Sequence, residues 1–141
     1  MSTNIKVSGM EDMKVKFQTL WIFAILNYLY CDVLGLHDAA TLKVIMTGQA
    51  GSLQITEGFL FGAAILMETA IVMVVLSRVL AYRANRWANI IAGVIHTAAV
   101  SLSMFVGKPA SYYMFFGAIE MACTLLIVWY AWKWTDPEAT F

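Results

Sequence analysis

Residues 55–76 read ITEGFLFGAAILMETAIVMVVL. The run is long enough to cross a hydrocarbon core, which takes about 20 apolar residues. Its interior holds a single charged side chain, Glu68. A charge at the bilayer centre is costly, so such residues ordinarily face a protein interior and mark a site. Three further runs of the same kind lie on either side, at about 17–36, 87–106 and 112–132. Each hides its own ionisable groups: Asp32 in the first, His96 in the second of these and Glu120 in the last.

Composition agrees with four spans in one domain. The 141 residues are 61% hydrophobic and 13% charged, against about 45–50% and about 25% in average soluble domains. The net charge is zero, so there is no basic field for nucleic acid and none is expected as a partner. The first run is longer than the apolar core of a signal peptide and no small-residue cleavage site follows it, which makes it an uncleaved span. Residues 1–16 read as a polar, mobile segment and 135–141 as a polar tail, flanking a transmembrane domain over 17–134.

The links carry their own signals. Asp38 is placed to cap a short helix in which Leu42, Ile45 and Met46 share a face, and Gly48 and Gly51 break it. This predicts a short helix lying in the membrane interface. A basic turn runs from Arg78 to Arg86, and Gly107-Lys108-Pro109 makes a sharp stop with Pro109 suited to opening the next helix. Of nine Lys and Arg residues, Lys6, Lys14, Lys16, Arg78, Arg83, Arg86 and Lys133 fall on one side, and Lys43 and Lys108 on the other. The bias places both termini in the cytoplasm. Small residues four apart (Gly58 and Gly62, Ala88 and Ala92, Ala118 and Ala122) suit close helix approach or a homodimer. The expected fold is an all-α, integral membrane, up-down four-helix bundle with the short interfacial helix between its first two spans.

Helical periodicity groups the polar residues into faces. Tyr28, Asp32 and Gly35 form one stripe, with Asn27 and Cys31 beside it; Glu57 and Glu68 share a face; Asn85, Asn89, His96 and Ser103 form another; Tyr113, Gly117, Glu120 and Thr124 a fourth. At about 1.5 Å per residue, Glu68 and His96 lie roughly 13 Å from the cytoplasmic ends of their helices and Glu120 roughly 18 Å. All three therefore fall near the midplane of a core about 30 Å thick. Asp32 and Glu57 fall within about 3–6 Å of the outer face by the same rise. The expectation is a funnel with Glu57 and Asp32 at its mouth and Glu68, His96 and Glu120 at its floor, with Tyr28, Tyr113 and Asn89 as further ligand contacts. For Glu57 the alternative is simpler: after Thr56 as a cap, it sits where the helix macrodipole favours a carboxylate.

Trp21, Trp87, Trp129, Trp132 and Trp134 gather near the cytoplasmic helix ends, as an interfacial belt does. Tyr28, Tyr30, Tyr112 and Tyr113 gather near Asp32, as an outer belt or as an aromatic box for an organic cation. Cys31 and Cys123 read as small buried residues, without a CxxC or Cys/His cluster. No intramembrane Lys is present for a Schiff base and no Glu-x-x-His pair for a di-iron site. A single metal held by Glu68, His96 and Glu120 is chemically sensible, but no cofactor is clearly implied.

The segment LSRVLAYRANRWANIIAG at 76–93, with WIFAILNYLYCDVLGL at 21–36 and LME at 66–68, resembles a family of small four-span bacterial membrane proteins of unknown function. The likeness runs over about residues 14–134 and is most specific at the turn through Arg86, Trp87 and Asn89. It implies the fold, a membrane location and a prokaryotic source, and assigns no activity and no site residue. In architecture the chain is also similar to DoxX-like four-helix proteins, some of which are tied to quinone or thiol redox systems. The expected function is the binding or movement of a proton, a small cation or a small organic ligand. The alternatives are a quinone-linked or metal-dependent redox enzyme or subunit, and a structural or accessory membrane protein.

Overall fold

The structure, a computed structural model, describes residues 2–106 and 109–136, with side chains from Gly9 onward. It is all-α apart from one short hairpin. The elements are α1 (Ser2–Gly35), α2 (Ala39–Thr47), β1 (Gln49–Ala50), β2 (Leu53–Gln54), α3 (Glu57–Val79), α4 (Tyr82–Ser103) and α5 (Ser111–Lys133). The four long helices pack in the cyclic order α1–α3–α4–α5, with α5 closing onto α1. Among the described residues, Gly9–Gly35, Glu57–Val79 and Ser111–Lys133 are long and apolar enough to cross a membrane. The fourth, α4, has 22 residues but carries Arg83, Asn85, Arg86, Asn89 and His96. Three of these, Asn85, Asn89 and His96, are buried against its neighbours.

α1 begins far earlier than expected. Residues 2–16 are helical and continue without a break into the first apolar run. Met10 and Met13 pack on the core, and Glu11 forms an ion pair with Arg78 of α3 at 3.4 Å. Beyond them the inward face repeats at alternating steps of four and three: Phe17, Trp21, Ala24, Tyr28, Cys31 and Gly35 are all buried. This is the seam spacing of helices crossing at a shallow angle. α5 shows the same spacing at Gly117, Glu120, Thr124, Ile127 and Ala131. At the end holding the termini, Trp134 closes the core, with ring centroids 5.4 Å from Phe17 and 4.9 Å from Tyr82.

The connection between α1 and α3 follows its local chemistry. Asp38 accepts hydrogen bonds from the Thr41 amide (3.0 Å) and hydroxyl (2.7 Å), capping α2. Gly48 ends it with φ +66°, a left-handed value that only glycine adopts cheaply. Leu42, Ile45 and Met46 are exposed together on α2. The hairpin was not expected. Gly51 (φ +63°) and Ser52, whose φ is not positive, join its strands with the sign pattern of a type II′ turn, the kind whose twist suits a two-residue hairpin. The basic turn is shorter than predicted: only Leu80 and Ala81 are non-helical, and Arg78, Arg83 and Arg86 all sit on helices. Pro109 precedes the α5 cap, Ala110, rather than starting the helix. Gly107 and Lys108 of the predicted stop lie outside the described residues, as do residues 137–141 of the tail.

Of the predicted small-residue pairs, Ala92 is buried and Ala88 packs against the core, and a further close approach occurs at Gly93. A methyl group on Gly93 would lie 2.7 Å from Val128 Cγ2 and 3.3 Å from the Thr124 carbonyl oxygen of α5. By contrast Gly62 has no neighbouring atom within 4 Å, and Gly58, Ala118 and Ala122 are exposed.

Candidate functional site

Two buried polar clusters occupy the helix core, and they differ in one respect. The first is fully paired. Trp21 Nε1 donates to Asn89 Oδ1 (2.8 Å), and Asn89 Nδ2 donates to the Asn85 side-chain oxygen (2.6 Å) and main-chain oxygen (2.9 Å). Asn85 Nδ2 donates to the Ser77 carbonyl at 2.7 Å, and the Ser77 hydroxyl reaches Asn89 Oδ1 at 3.4 Å. All four residues are completely buried and lie on α1, α3 and α4. Their groups are committed to one another, so Asn89, expected as a ligand contact, instead joins three helices. Trp21 likewise belongs to the core and not to an interfacial belt. Trp134 is buried as well, while Trp87, Trp129 and Trp132 are exposed.

The second cluster is not paired. The His96 imidazole of α4 lies between two rings of α1, stacked on Tyr28 at 5.7 Å and 21° and meeting the edge of Trp21 at 5.4 Å and 73°. Glu120 of α5 interacts electrostatically with both Tyr28 and Asp32. Tyr28, His96 and Glu120 are 7%, 2% and 6% exposed. Yet the Tyr28 hydroxyl, His96 Nε2 and Glu120 Oε1 have no hydrogen-bond partner among the described residues. Buried polar atoms are paired in the great majority of cases, so three orphans on three helices call for an explanation. Neither of the ion pairs found among the described residues, Lys14–Glu11 and Arg78–Glu11, involves Glu120.

The remaining expected site residues fall around or outside this centre. Asp32 is exposed on α1 beside the buried Cys31. Tyr113 is half-buried and donates to the Ser103 hydroxyl at 2.6 Å. Tyr30 is 60% exposed and Tyr112 contacts Thr41 of α2, so the four tyrosines do not make an aromatic box. Glu57 and Glu68 do share a face, but it is the outward face of α3. Thr56 caps α3, accepting from the Phe59 amide at 3.2 Å, and Glu57 stands exposed in the first turn. Glu68 therefore joins neither His96 nor Glu120, and the three-ligand metal set it would have completed is not assembled. Among the described residues no group of three His, Cys, Asp or Glu side chains is arranged to hold a metal ion. Cys31 and Cys123 are buried free thiols, Cys123 donating to the Leu20 carbonyl at 3.3 Å.

A cavity of about 740 Å³ opens elsewhere, between Tyr82, Arg83, Arg86 and Trp87 of α4 and the end of α5. Its polar side chains are largely engaged: Arg86 donates to the Ala131 and Trp132 carbonyls at 3.0 Å each, and Tyr82 to the Trp134 carbonyl at 2.7 Å. These contacts satisfy the carbonyls that a helix leaves open at its C-terminus. The unpaired centre around Glu120 is thus the stronger candidate site, since its polar atoms are buried and uncommitted.

No curated protein and no solved structure matches the sequence. A family described as Family of unknown function (DUF6326) matches residues 6–140. The match takes in almost the whole chain, which belongs to this family.

Proposed function

We propose that this is a four-span protein of a bacterial inner membrane, with both termini in the cytoplasm, that binds a proton or small cation at Glu120. His96 and Tyr28 complete the site, and Asp32 stands at its outer side. The single observation behind this reading is that three buried polar atoms on α1, α4 and α5 are left without a hydrogen-bond partner among the described residues. Each suits the task. A carboxyl oxygen accepts from, or shares a proton with, a bound solute; the tyrosine hydroxyl donates or accepts; the imidazole does either, depending on its tautomer. In a low-dielectric core a small cation on Glu120 would offset the desolvation that the carboxylate suffers alone. α4 would then cross the membrane with its polar face turned inward, which agrees with the burial of Asn85, Asn89 and His96.

Infrared difference spectra of the reconstituted protein between acid and alkaline buffer test the reading. With Glu68→Gln as background, to remove the other mid-span carboxyl, a buried carboxyl band should appear, survive the addition of Glu57→Gln and vanish on the addition of Glu120→Gln. A band that persists in Glu68→Gln plus Glu120→Gln would remove Glu120 from the role. In proteoliposomes carrying a pH-sensitive dye, decay of an imposed proton gradient should exceed that of protein-free vesicles and fall to their level in Glu120→Gln.

A further inference from the structure

Glu68 poses a separate problem. It lies on the most apolar helix of the chain, whose best window has a mean hydropathy of 2.4 and is only 11% buried, against 28% in α1 and 33% in α5. Eleven residues separate Glu68 from either end of α3, and at about 1.5 Å per residue that is roughly 16 Å. A glutamate side chain spans only a fraction of this distance and cannot snorkel to a headgroup. Lipid tails offer no hydrogen bond. An ionisable group so placed ordinarily faces protein, yet within this chain Glu68 faces away from it.

The residues around it share a pattern. Glu57, Phe61, Ala64, Glu68, Ile71 and Val75 follow alternating steps of four and three, and all are exposed. Phe61, Ile71 and Val75 are 69%, 48% and 60% exposed. That spacing matches the buried seam of α1, but it runs along the opposite side of a helix whose own inward face is Ala70, Met73 and Ser77. A second seam of this period is what a left-handed helix pair requires.

We infer that this face of α3 is the contact between two copies of the chain, with Glu68 opposite Glu68 across a two-fold axis along the membrane normal. The partner must present a hydrogen-bonding group at the same depth and in the same register. A second copy in the same orientation does so by symmetry, because an isologous contact sets a residue on the axis against itself. The Lys and Arg bias favours one orientation for every copy, so the pair is parallel. Each carboxyl side chain supplies the polar partner that lipid cannot give the other, and the small Ala64 one turn away lets the backbones approach. Glu57 falls at the membrane edge, where water screens it from its counterpart.

Disulfide trapping in native membranes tests this, using the full chain with Cys31→Ala and Cys123→Ala. Single replacements Ala64→Cys and Ile71→Cys leave Glu68 intact and should give a cross-linked dimer under mild oxidation. Gly62→Cys, exposed but off the seam, should not. If the background lacking both native cysteines fails to insert, the same replacements are made with the two buried native thiols retained. Single-molecule photobleaching of the tagged wild type in a bilayer should show two-step traces. Glu68→Leu should weaken the association constant by about tenfold, while Glu68→Gln, which can still pair through its amide, should stay within about threefold of wild type. Cross-links only at Gly62→Cys, single-step traces, or cross-links to a different protein at Ala64→Cys would each overturn the proposal. The inference rests on the membrane reading, and fractionation separates the two failures: a chain absent from membranes sinks both, and a membrane-inserted monomer sinks only this one.

Discussion

The rings of Tyr28 and His96 stack at 5.7 Å, yet the Tyr28 hydroxyl and His96 Nε2 are both left without a hydrogen-bond partner among the described residues. Stacking holds the rings; it does nothing for their polar atoms. A buried, unsatisfied donor or acceptor costs about 1–3 kcal/mol. Tyr28→Phe keeps the ring contact and deletes the orphan oxygen. It should therefore leave unfolding stability unchanged or raise it by up to about 1 kcal/mol, while weakening proton or cation binding at Glu120. Thermal unfolding in detergent reads the first effect and the infrared titration the second. A marked loss of stability would mean that the hydroxyl is structurally paired.

Asn89 should behave in the opposite way. Its side chain accepts from Trp21 and donates to Asn85, all in a fully buried setting. Asn89→Ala strands the indole N–H and the Asn85 oxygen together, each at about 1–3 kcal/mol, so a loss of about 3 kcal/mol is expected. The same measurement that finds Tyr28→Phe neutral should find Asn89→Ala severely destabilised. Equal, small effects from the two variants would erase the distinction between the paired cluster and the orphaned one.

How much of this was legible depended on contrast within each helix. In α5, polar Tyr113, Glu120 and Thr124 recur on a ground of apolar residues, so the inward stripe and the place of Glu120 can be read directly. His96 follows from Asn85 and Asn89 in α4 for the same reason. α3 offers no such contrast: it is apolar all round, so Glu57 and Glu68 define a face without saying which way it points. The assumption that an intramembrane charge looks inward then chose the wrong side. Trp21 has the residue type of an interfacial belt but the four-and-three spacing of the buried seam it shares with Phe17 and Ala24. Early α1 looked solvated through Glu11, Asp12 and Lys14, although Met10, Met13 and Phe17 already carried the helical period. The hairpin at Gly51-Ser52 has strands of two residues each, too short for any alternation to show.

Gly93 makes a packing prediction. An added methyl would press on Val128 Cγ2 at 2.7 Å, and Val128 is β-branched and within α5, so it has little rotamer freedom to yield. Overpacking typically costs about 1–3 kcal/mol. Removing a helix-interior glycine returns about 1 kcal/mol. Gly93→Ala should therefore be neutral to destabilising by about 2 kcal/mol, and Gly93→Val worse. Gly62→Ala, with open space around it, should show only the propensity gain. Denaturation of the two alanine variants side by side checks the contrast, and a stabilised Gly93→Ala would contradict the close α4–α5 approach.

Asp38 supplies the pH dependence outside the spans. Hydrogen bonds from the Thr41 hydroxyl and amide hold its carboxyl below the usual carboxylate range. A depressed folded-state value means that the cap is fully stabilising above the ordinary aspartate range. That contribution is lost as pH falls through the lower, folded value. Because Thr41 Oγ1 also meets the Tyr112 hydroxyl at 3.2 Å, acid should loosen α2 from the start of α5 as well. Hydrogen exchange at the amides of Thr41 and Leu42 should accelerate, beyond its intrinsic pH trend, only at the acid end. Asp38→Asn retains an acceptor for the Thr41 amide but cannot titrate, so its protection should be flat over the same window. Asp38→Ala should be unprotected throughout. An acid-induced loss that persists in Asp38→Asn would assign the effect to another group.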